Sequence, residues 1–230
     1  VTSTYMSQPT TTLIVITLLA FPLAVWLERS EPSLWQERLF LPSFTQEENL
    51  HTPAHSKGTF LPPRISENIT FTANQNPIIL ARSVVIPPGV TVTLEAGAHL
   101  FAHEFSQLVV EGSLATNGTQ ANPVKITSNE EHGANRNWNG IIFKGTGQGT
   151  FNHTTIRYGS PAITCEPQSI VKIMNTIIEQ SDLGLYTESE TCVLENSLIQ
   201  YVTDGIISRG ISPIIRESTI NAKKEDIQSF

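Results

Sequence analysis

Apolar residues recur every 21 or 22 positions through the last third of the chain, and they define three columns. In each column the steps are 22, 21 and 21 residues. The columns are Phe151, Ile173, Leu194 and Ile215; Ile156, Ile178, Ile199 and Ile220; and Ile163, Leu185, Ile206 and Ile227. A fixed period in this range indicates a solenoid, in which each repeat buries its apolar side against neighbouring repeats.

A polar column and a hydroxyl column run between the first two apolar columns. Their members are His153, Asn175, Asn196 and Glu217, followed by Thr154, Thr176, Ser197 and Ser218. Asparagine tolerates a left-handed backbone, and its amide can hydrogen-bond to the next copy in a stack. We therefore expect a turn at the same place in each repeat, with its side chains forming a ladder.

The repeating units are predicted to be strands. Their apolar positions are mostly β-branched and come in short runs broken by polar residues or glycine, which favours strands and turns. Helical repeats need a longer period, roughly 33 residues or more, and longer amphipathic segments. The sequence thus predicts an all-β parallel β-helix solenoid with 21–22 residues per coil and three short strands in each coil.

The same register extends backward in a looser form to residue 78. The earlier segments are Val84–Ile86, Leu108–Val110 and Gly140–Phe143 for the third column; Val92–Leu94 and Leu114 for the first; and Leu100 and Val124–Thr127 for the second. One coil is longer, because Ser128–Trp138 intervenes as an insertion. Insertions in solenoids map to a loop on one side of the stack.

Four segments carry a resemblance to a known family: VIPPGVTVTLEAGA at 85–98, LVVEGSLATNGT at 108–119, PVKITS at 123–128 and WNGIIF at 138–143. They resemble the opening coils of bacterial exported right-handed β-helix proteins, and the later repeats resemble those of the pectin-lyase-like superfamily. The resemblance implies a right-handed parallel β-helix over residues 78–230. It does not imply one function, because that superfamily includes lyases, hydrolases, adhesins and surface proteins of no known activity.

The N-terminal part divides into two further regions. Residues 1–30 contain an uncharged run at 11–27 that is long enough for a membrane-spanning helix, and Trp26 suits an interface. A cleaved signal peptide is the alternative. Residues 31–77 are rich in Pro and Ser, lack periodicity and are predicted to be a linker. We expect a membrane-anchored protein with an extracytoplasmic domain, or a secreted one.

At the other end, Phe230 falls in mid-repeat without a polar capping element, so the β-helix at 78–230 is expected to be incomplete at its C-terminus.

Composition narrows the function classes. The chain has 230 residues, 15% of them charged, and a formal net charge of −7. Its 14 Lys and Arg residues are scattered, so the basic stripe expected of a nucleic-acid-binding protein is absent from the sequence. No nucleic-acid partner is predicted.

The two cysteines, Cys165 and Cys192, fall in different columns: Cys165 aligns with Thr187, and Cys192 with Val171. This favours two buried free thiols, with a disulfide as the alternative. The two cysteines do not have the sequence spacing that is typical of metal ligands.

Two sets of charged residues are candidate sites. Asp182, Asp204 and Asp226 recur every 22 residues and could hold calcium, but their offset from the third column drifts, which favours a role in turns. No cofactor is otherwise expected. The residues that follow the second column are Arg157, Glu179, Gln200 and Asn221, and they predict an exposed polar ladder more simply than a catalytic group.

Two further candidates concern ligand contact. Tyr158 and Tyr201 share a column two coils apart and could stack on successive sugars if they face outward; alternation favours a structural role. The insertion contains Glu130, His132, Arg136 and Trp138, a mix typical of functional loops. The alternative for this insertion is a solvated loop with Trp138 packed back onto the next strand.

Two hypotheses follow from these residues. The first is a membrane-tethered or secreted module that binds or displays at the cell envelope, with a polysaccharide or another envelope component as its partner. The second is a polysaccharide lyase or hydrolase whose catalytic coils lie beyond residue 230. Catalysis needs a tuned proton-transfer group and a group that stabilises developing charge, and no such pair converges in the sequence given.

Overall fold

A computed structural model of the protein describes residues 58–128 and 138–230. These residues form strands and turns, with one short 3₁₀ helix at Ala73–Gln75. The strands in chain order are β1 (Thr59–Phe60), β2 (Ile69–Phe71), β3 (Ile78–Leu80), β4 (Val84–Ile86), β5 (Thr91–Glu95), β6 (His99–Ala102), β7 (Leu108–Val110), β8 (Ser113–Asn117), β9 (Val124–Ser128), β10 (Ile141–Phe143), β11 (Gln148–Asn152), β12 (Thr154–Arg157), β13 (Ile163–Cys165), β14 (Ile170–Met174), β15 (Ile177–Glu179), β16 (Leu183–Thr187), β17 (Cys192–Glu195), β18 (Leu198–Ser208), β19 (Ile214–Arg216) and β20 (Thr219–Ser229).

The strands wind into a parallel β-solenoid of about seven coils with three faces. The first face stacks β2, β5, β8, β11, β14, β17 and β19. The second face stacks β3, β6, β9, β12 and β15, and the third stacks β4, β7, β10, β13 and β16. In the last two coils β18 and β20 each run for 11 residues through the second and third faces, so these two faces join into one sheet. Coil 1 is β2–β4, and coil 7 is β19 and β20.

The strand register confirms the three apolar columns predicted from the sequence. Phe151 pairs with Ile173, and Ile173 with Leu194, in adjacent strands of the first face. The second and third columns stack in the same way through β12, β15, β18 and β20 and through β13, β16, β18 and β20. The looser early coils also lie in the predicted register, because Leu100 pairs with Ile126. The parallel β-helix is therefore confirmed over the described residues.

The core is a column of inward side chains. Phe151, Ile156 and Ile163 are each 0% exposed, as their positions in the predicted columns require. The rings of Phe143 and Phe151 meet edge to face, with centroids 6.0 Å apart. Gly149 also points inward, and a Cβ there would lie 2.5 Å from the Phe143 ring. Glycine at 149 thus makes room for the aromatic pair.

The corner between the first and second faces turns at the predicted polar column. His153, Asn175, Asn196 and Glu217 all have left-handed backbone, with φ between 44° and 50°. The Asn175 amide donates to Asn152 Oδ1 at 2.8 Å, and the Asn196 amide donates to Asn175 Oδ1. The expected ladder is therefore present, although it begins at Asn152 and not at His153.

The hydroxyl column satisfies the backbone just after this turn. Ser197 Oγ accepts from the Thr176 N–H at 3.1 Å and donates to the Glu195 carbonyl at 2.7 Å. Ser218 repeats both bonds one coil later. Small hydroxyl residues are favoured here because they reach backbone groups that a tight turn leaves without strand partners.

The solenoid begins earlier than the sequence predicted. The sequence places residues 58–77 in the linker, but β2 pairs in register with β5, and β1 pairs with β3. These strands are two and three residues long, too short to show a period on their own.

The membrane helix predicted at 11–27 lies outside the described residues, as does the linker from 31 to 57. Within 58–128 and 138–230, no helix is long and apolar enough to cross a bilayer.

The free-thiol prediction is wrong, because Cys165 and Cys192 form a disulfide with a Cα–Cα distance of 6.5 Å. The predicted alignments hold: Cys165 pairs with Thr187, and Cys192 with Val171. Both cysteines point inward, one from the third face and one from the first face of a later coil. Two sheets that meet at a corner bring such side chains together diagonally, which a comparison within single columns does not detect.

Candidate functional site

The outer side of the second face carries the most varied polar chemistry among the described residues. Outward positions alternate with the buried column, and their pairing across adjacent strands is known from the register. One outward column is His99, Lys125, Thr155, Ile177, Leu198 and Thr219. The residues beside it include Phe101, Thr127, Arg157, Glu179, Gln200 and Asn221.

A pocket of about 210 Å³ opens on this face across coils 2 to 4. We call it the basic pocket, and its lining is His99, Phe101, Lys125, Thr127, Thr155 and Arg157. These residues come from β6, β9 and β12, adjacent strands that stack about 4.8 Å apart. No carboxylate is among the described lining residues, so the side chains offer donors, hydroxyls and one aromatic ring.

The electrostatics of the basic pocket centre on His99 and Lys125, which are direct partners on β6 and β9. Partial burial lowers the pKa of His99 below its ordinary value of 6.5, and the neighbouring Lys125 ammonium lowers it further. His99 is therefore mostly neutral at pH 7, while Lys125 is charged.

Arg157 lies at the edge of the basic pocket in a hydrogen-bonded ladder. Its guanidinium donates twice to Glu179 Oε1, at 2.8 Å and 2.6 Å. The Gln200 amide donates to Glu179 Oε2 at 2.8 Å. The predicted polar ladder is thus present, but Glu179 is only 8% exposed, so its carboxylate is buried and not exposed as expected. Glu179 offsets the charge of Arg157 and makes the pair structural.

A second concavity, the corner groove, runs beside the left-handed turns of coils 4 to 7, with Gln120 of coil 3 at one end, and has a volume of about 500 Å³. Its lining is Gln120, His153, Asn175, Thr176, Ile177, Asn196, Ser197, Leu198, Glu217 and Thr219. Three coil-to-coil steps make it about 14 Å long. The groove therefore presents an amide ladder beside the outward apolar side chains Ile177 and Leu198.

The two tyrosine candidates lie in different environments. Tyr158, Gln180 and Tyr201 all have left-handed backbone, so a second turn column begins here. Tyr158 is 7% exposed, whereas Tyr201 is 63% exposed. A pair of tyrosines stacking on successive sugars is therefore not formed, because only Tyr201 has an open ring.

The insertion is described only at its ends. Glu130, His132 and Arg136 lie outside the described residues. Trp138 is 1% exposed, and its indole N–H donates to the Arg157 carbonyl at 2.9 Å. Trp138 thus packs back onto the solenoid, as the alternative predicted, and its ring is closed to a ligand.

The three repeating aspartates do not stack. Asp204 pairs with Leu183 in one direction and with Glu225 in the other, so the drift predicted from the sequence is real. Asp226 Oδ1 accepts from the Ala222 N–H at 2.9 Å. Asp204 and Asp226 lie within the strands β18 and β20, so the turn role predicted for them is wrong. Within the described residues, no group of three His, Cys, Asp or Glu side chains is placed to hold a metal ion.

Comparisons with known proteins found no matching family model, no matching curated protein and no matching solved structure.

The repeat pattern of the sequence does not identify the pocket residues His99, Phe101, Lys125, Thr127 and Thr155. The first four lie on β6 and β9, in the coils before and at the insertion, where the spacing between coils is least regular. The detectable signal is alternation: with Leu100 and Ile126 assigned inward, their neighbours on each side must face outward together.

Proposed function

We propose that the solenoid is an exported, non-catalytic module that binds an extended polysaccharide along the corner groove. We further propose that it is a right-handed β-helix of the pectin-lyase-like type, as the resemblance of residues 85–143 implies and as the handedness of parallel crossovers favours. A polysaccharide or another component of the cell envelope is the expected partner.

The corner groove is the observation that carries this proposal. It is open, follows the stack for about 14 Å and so suits an oligomer better than a single sugar ring. Each asparagine amide has two N–H donors and two acceptor lone pairs. The ladder uses one donor and one acceptor of Asn175, which leaves one of each for sugar hydroxyls. Ile177, which is 37% exposed, adds apolar contact for the faces of the rings.

Export is supported by the Cys165–Cys192 disulfide. Disulfides persist in secreted, periplasmic and surface proteins and are rare in reducing cytosol. This agrees with the predicted anchor or signal segment at 11–27.

The binding experiment uses the full chain in a neutral detergent with a panel of neutral and acidic polysaccharides. We expect retardation in affinity electrophoresis without unsaturated products or new reducing ends. Leu198→Glu places a charge in the groove and should abolish retardation, whereas Val193→Glu, an outward position on the first face, should not. Both variants should melt within a few degrees of the wild type.

Three results would overturn the proposal: no retardation by any polysaccharide, equal loss with both variants, or turnover that Arg157→Ala or His132→Ala abolishes. The last of these would favour the polysaccharide lyase or hydrolase.

Export and anchoring have a separate test. If residues 11–27 span the membrane, the full chain should stay in the membrane fraction through a carbonate wash, and deletion of residues 1–30 should release it. Soluble mature protein that begins after about residue 24 would instead establish a cleaved signal peptide.

A further inference from the structure

The basic pocket has a charge that the protein as a whole does not share. The chain carries a net charge of −7, yet the described lining combines Lys125, His99 and Arg157 with two threonines and no carboxylate. The Arg157 charge is offset by Glu179, so Lys125 supplies the net positive charge of the pocket. No ion pair of Lys125 occurs within the described residues.

The charged and polar groups around His99 determine how favourable its protonation is. β3, on one side, is apolar throughout, and Asn76 beside it accepts a hydrogen bond from the backbone N–H of His99 at 2.7 Å through Oδ1. β9, on the other side, presents Lys125, and β12 presents Arg157 with its partner Glu179. Protonated His99 therefore adds a second positive charge next to Lys125, which is unfavourable when the pocket is empty.

We propose that the basic pocket binds a small oxyanion, the ionised acid group of a ligand, between Lys125, His99 and the hydroxyl of Thr155. A volume of about 210 Å³ accommodates such a group with several waters. The Lys125 ammonium, the His99 imidazole and the Thr155 hydroxyl supply charge-assisted hydrogen bonds to the anion from three neighbouring strands. The Thr127 hydroxyl donates to the Ser128 carbonyl and only lines the pocket.

The site is independent of the proposed polysaccharide groove, because the two share no lining residue. The ligand acid group has two chemical sources, a carboxylate or a sulfate or phosphate ester, and both present the same oxyanion chemistry. Residues 129–137 follow β9 directly and are left intact in every variant.

Linkage gives the sharpest test. An anion that contacts His99 favours the imidazolium, so binding must raise the pKa of His99, and protonation must strengthen binding by the same factor. The affinity for the anion should therefore rise as the pH falls through the pKa that His99 has in the unliganded protein, which lies below 6.5. If binding raises the His99 pKa by about 0.5 to 1 unit, protonation of His99 strengthens binding by roughly threefold to tenfold.

The experiment titrates the six histidines of the full chain by NMR with and without sodium sulfate, whose charge is constant from pH 5 to 8. His99→Gln assigns the His99 resonance. Saturating sulfate should raise the pKa of His99 and should not shift the ring resonances of His153, which lines the other groove. Acetate and inorganic phosphate in parallel titrations distinguish carboxylate from tetrahedral ligands by which one produces the larger shift.

Lys125→Gln should weaken sulfate binding by roughly tenfold or more, since it removes the charge that lies next to the anion. Lys172→Gln, an exposed lysine on the outer side of the first face, is the matched control and should change nothing. Equal effects of the two variants, or a His99 pKa that sulfate does not move, would mean an adventitious ion only and would overturn the site. Failure here leaves polysaccharide retardation by the corner groove untouched.

Discussion

Successive residues on the second face alternate between an inner column that barely changes and an outer column that changes in every coil. The inner column holds isoleucine at 156, 178, 199 and 220. The outer column at the neighbouring positions runs from His99 and Lys125 to Ile177 and Leu198. The same strands thus carry both the stability of the fold and its surface chemistry. Pairs of neighbouring substitutions can separate these roles.

The largest effect is expected from a charge in the inner column. Ile199 is 0% exposed, so Ile199→Asp buries a carboxylate without a partner. The cost, on the order of 5 kcal/mol or more, is comparable to the whole stability of a domain. We expect the cooperative unfolding transition in circular dichroism to disappear. Leu198→Asp, one residue away but outward, should change the free energy of unfolding by about 1 kcal/mol or less. Similar melting curves for both variants would refute the assignment of inner and outer positions.

The Cys165–Cys192 disulfide is a covalent cross-link among the inward side chains and is expected to have the second largest effect on stability. Cys165 and Cys192 are 27 residues apart, and closing a loop of that length stabilises by about 3–4 kcal/mol through the unfolded chain. Cys165→Ala with Cys192→Ala should lower the urea midpoint accordingly, and reduction of the wild type should lower it by a similar amount. A midpoint unaffected by reductant would show that the cross-link is absent from the purified protein.

Glu179 tests the boundary between the two columns, because it faces outward but is 8% exposed. Glu179→Gln removes the carboxylate that accepts from Arg157 and should cost about 2 kcal/mol, less than a fully buried pair because the Arg157 side chain is 37% exposed. The matched control is Glu195→Gln. Glu195 lies 3.8 Å from Arg216, and both side chains are well exposed, so about 0.5 kcal/mol or less is expected. Equal changes in urea midpoint would show that burial does not strengthen the Arg157–Glu179 pair.

The smallest effect concerns the left-handed corner. Asn196 has φ of 44° and donates into the amide ladder. Asn196→Gly keeps the backbone conformation and loses only the ladder bond, whereas Asn196→Ala also pays for a Cβ in the left-handed region, by about 1 kcal/mol. We expect the alanine variant to melt below the glycine variant. The reverse order would place the strain elsewhere in the turn.

The inner columns were predictable from the sequence because burial admits few residue types at each position. The large apolar side chains of Phe151, Ile178 and Leu185, at their regular spacing, are enough to predict the coils to which they belong. The left-handed corner was predictable for the same reason, since Asn175 and Asn196 suit a conformation that most residues avoid.

The outer features were harder to predict. A solvent-exposed position tolerates many residue types, and His99, Lys125 and Thr155 occupy equivalent outward positions in successive coils. The outward residues therefore do not repeat, and the sequence pattern gives no sign that they line a pocket. The diagonal approach of Cys165 and Cys192 depends on how two faces meet in space. The start of the solenoid at β1 and β2 rests on pairing with later coils, because these strands are too short for a local signal.

The long coil shows how such a molecule can change. β9 ends at Ser128 and β10 begins at Ile141, yet both lie in register with the coils on either side. Trp138 already bridges to Gly159 as the chain returns to the stack. The residues inserted between β9 and β10 therefore do not change the strand register of the neighbouring coils. Ser128 and Trp138 therefore mark a position at which the segment between them can be exchanged for another while the strand pairing of the adjacent coils is kept.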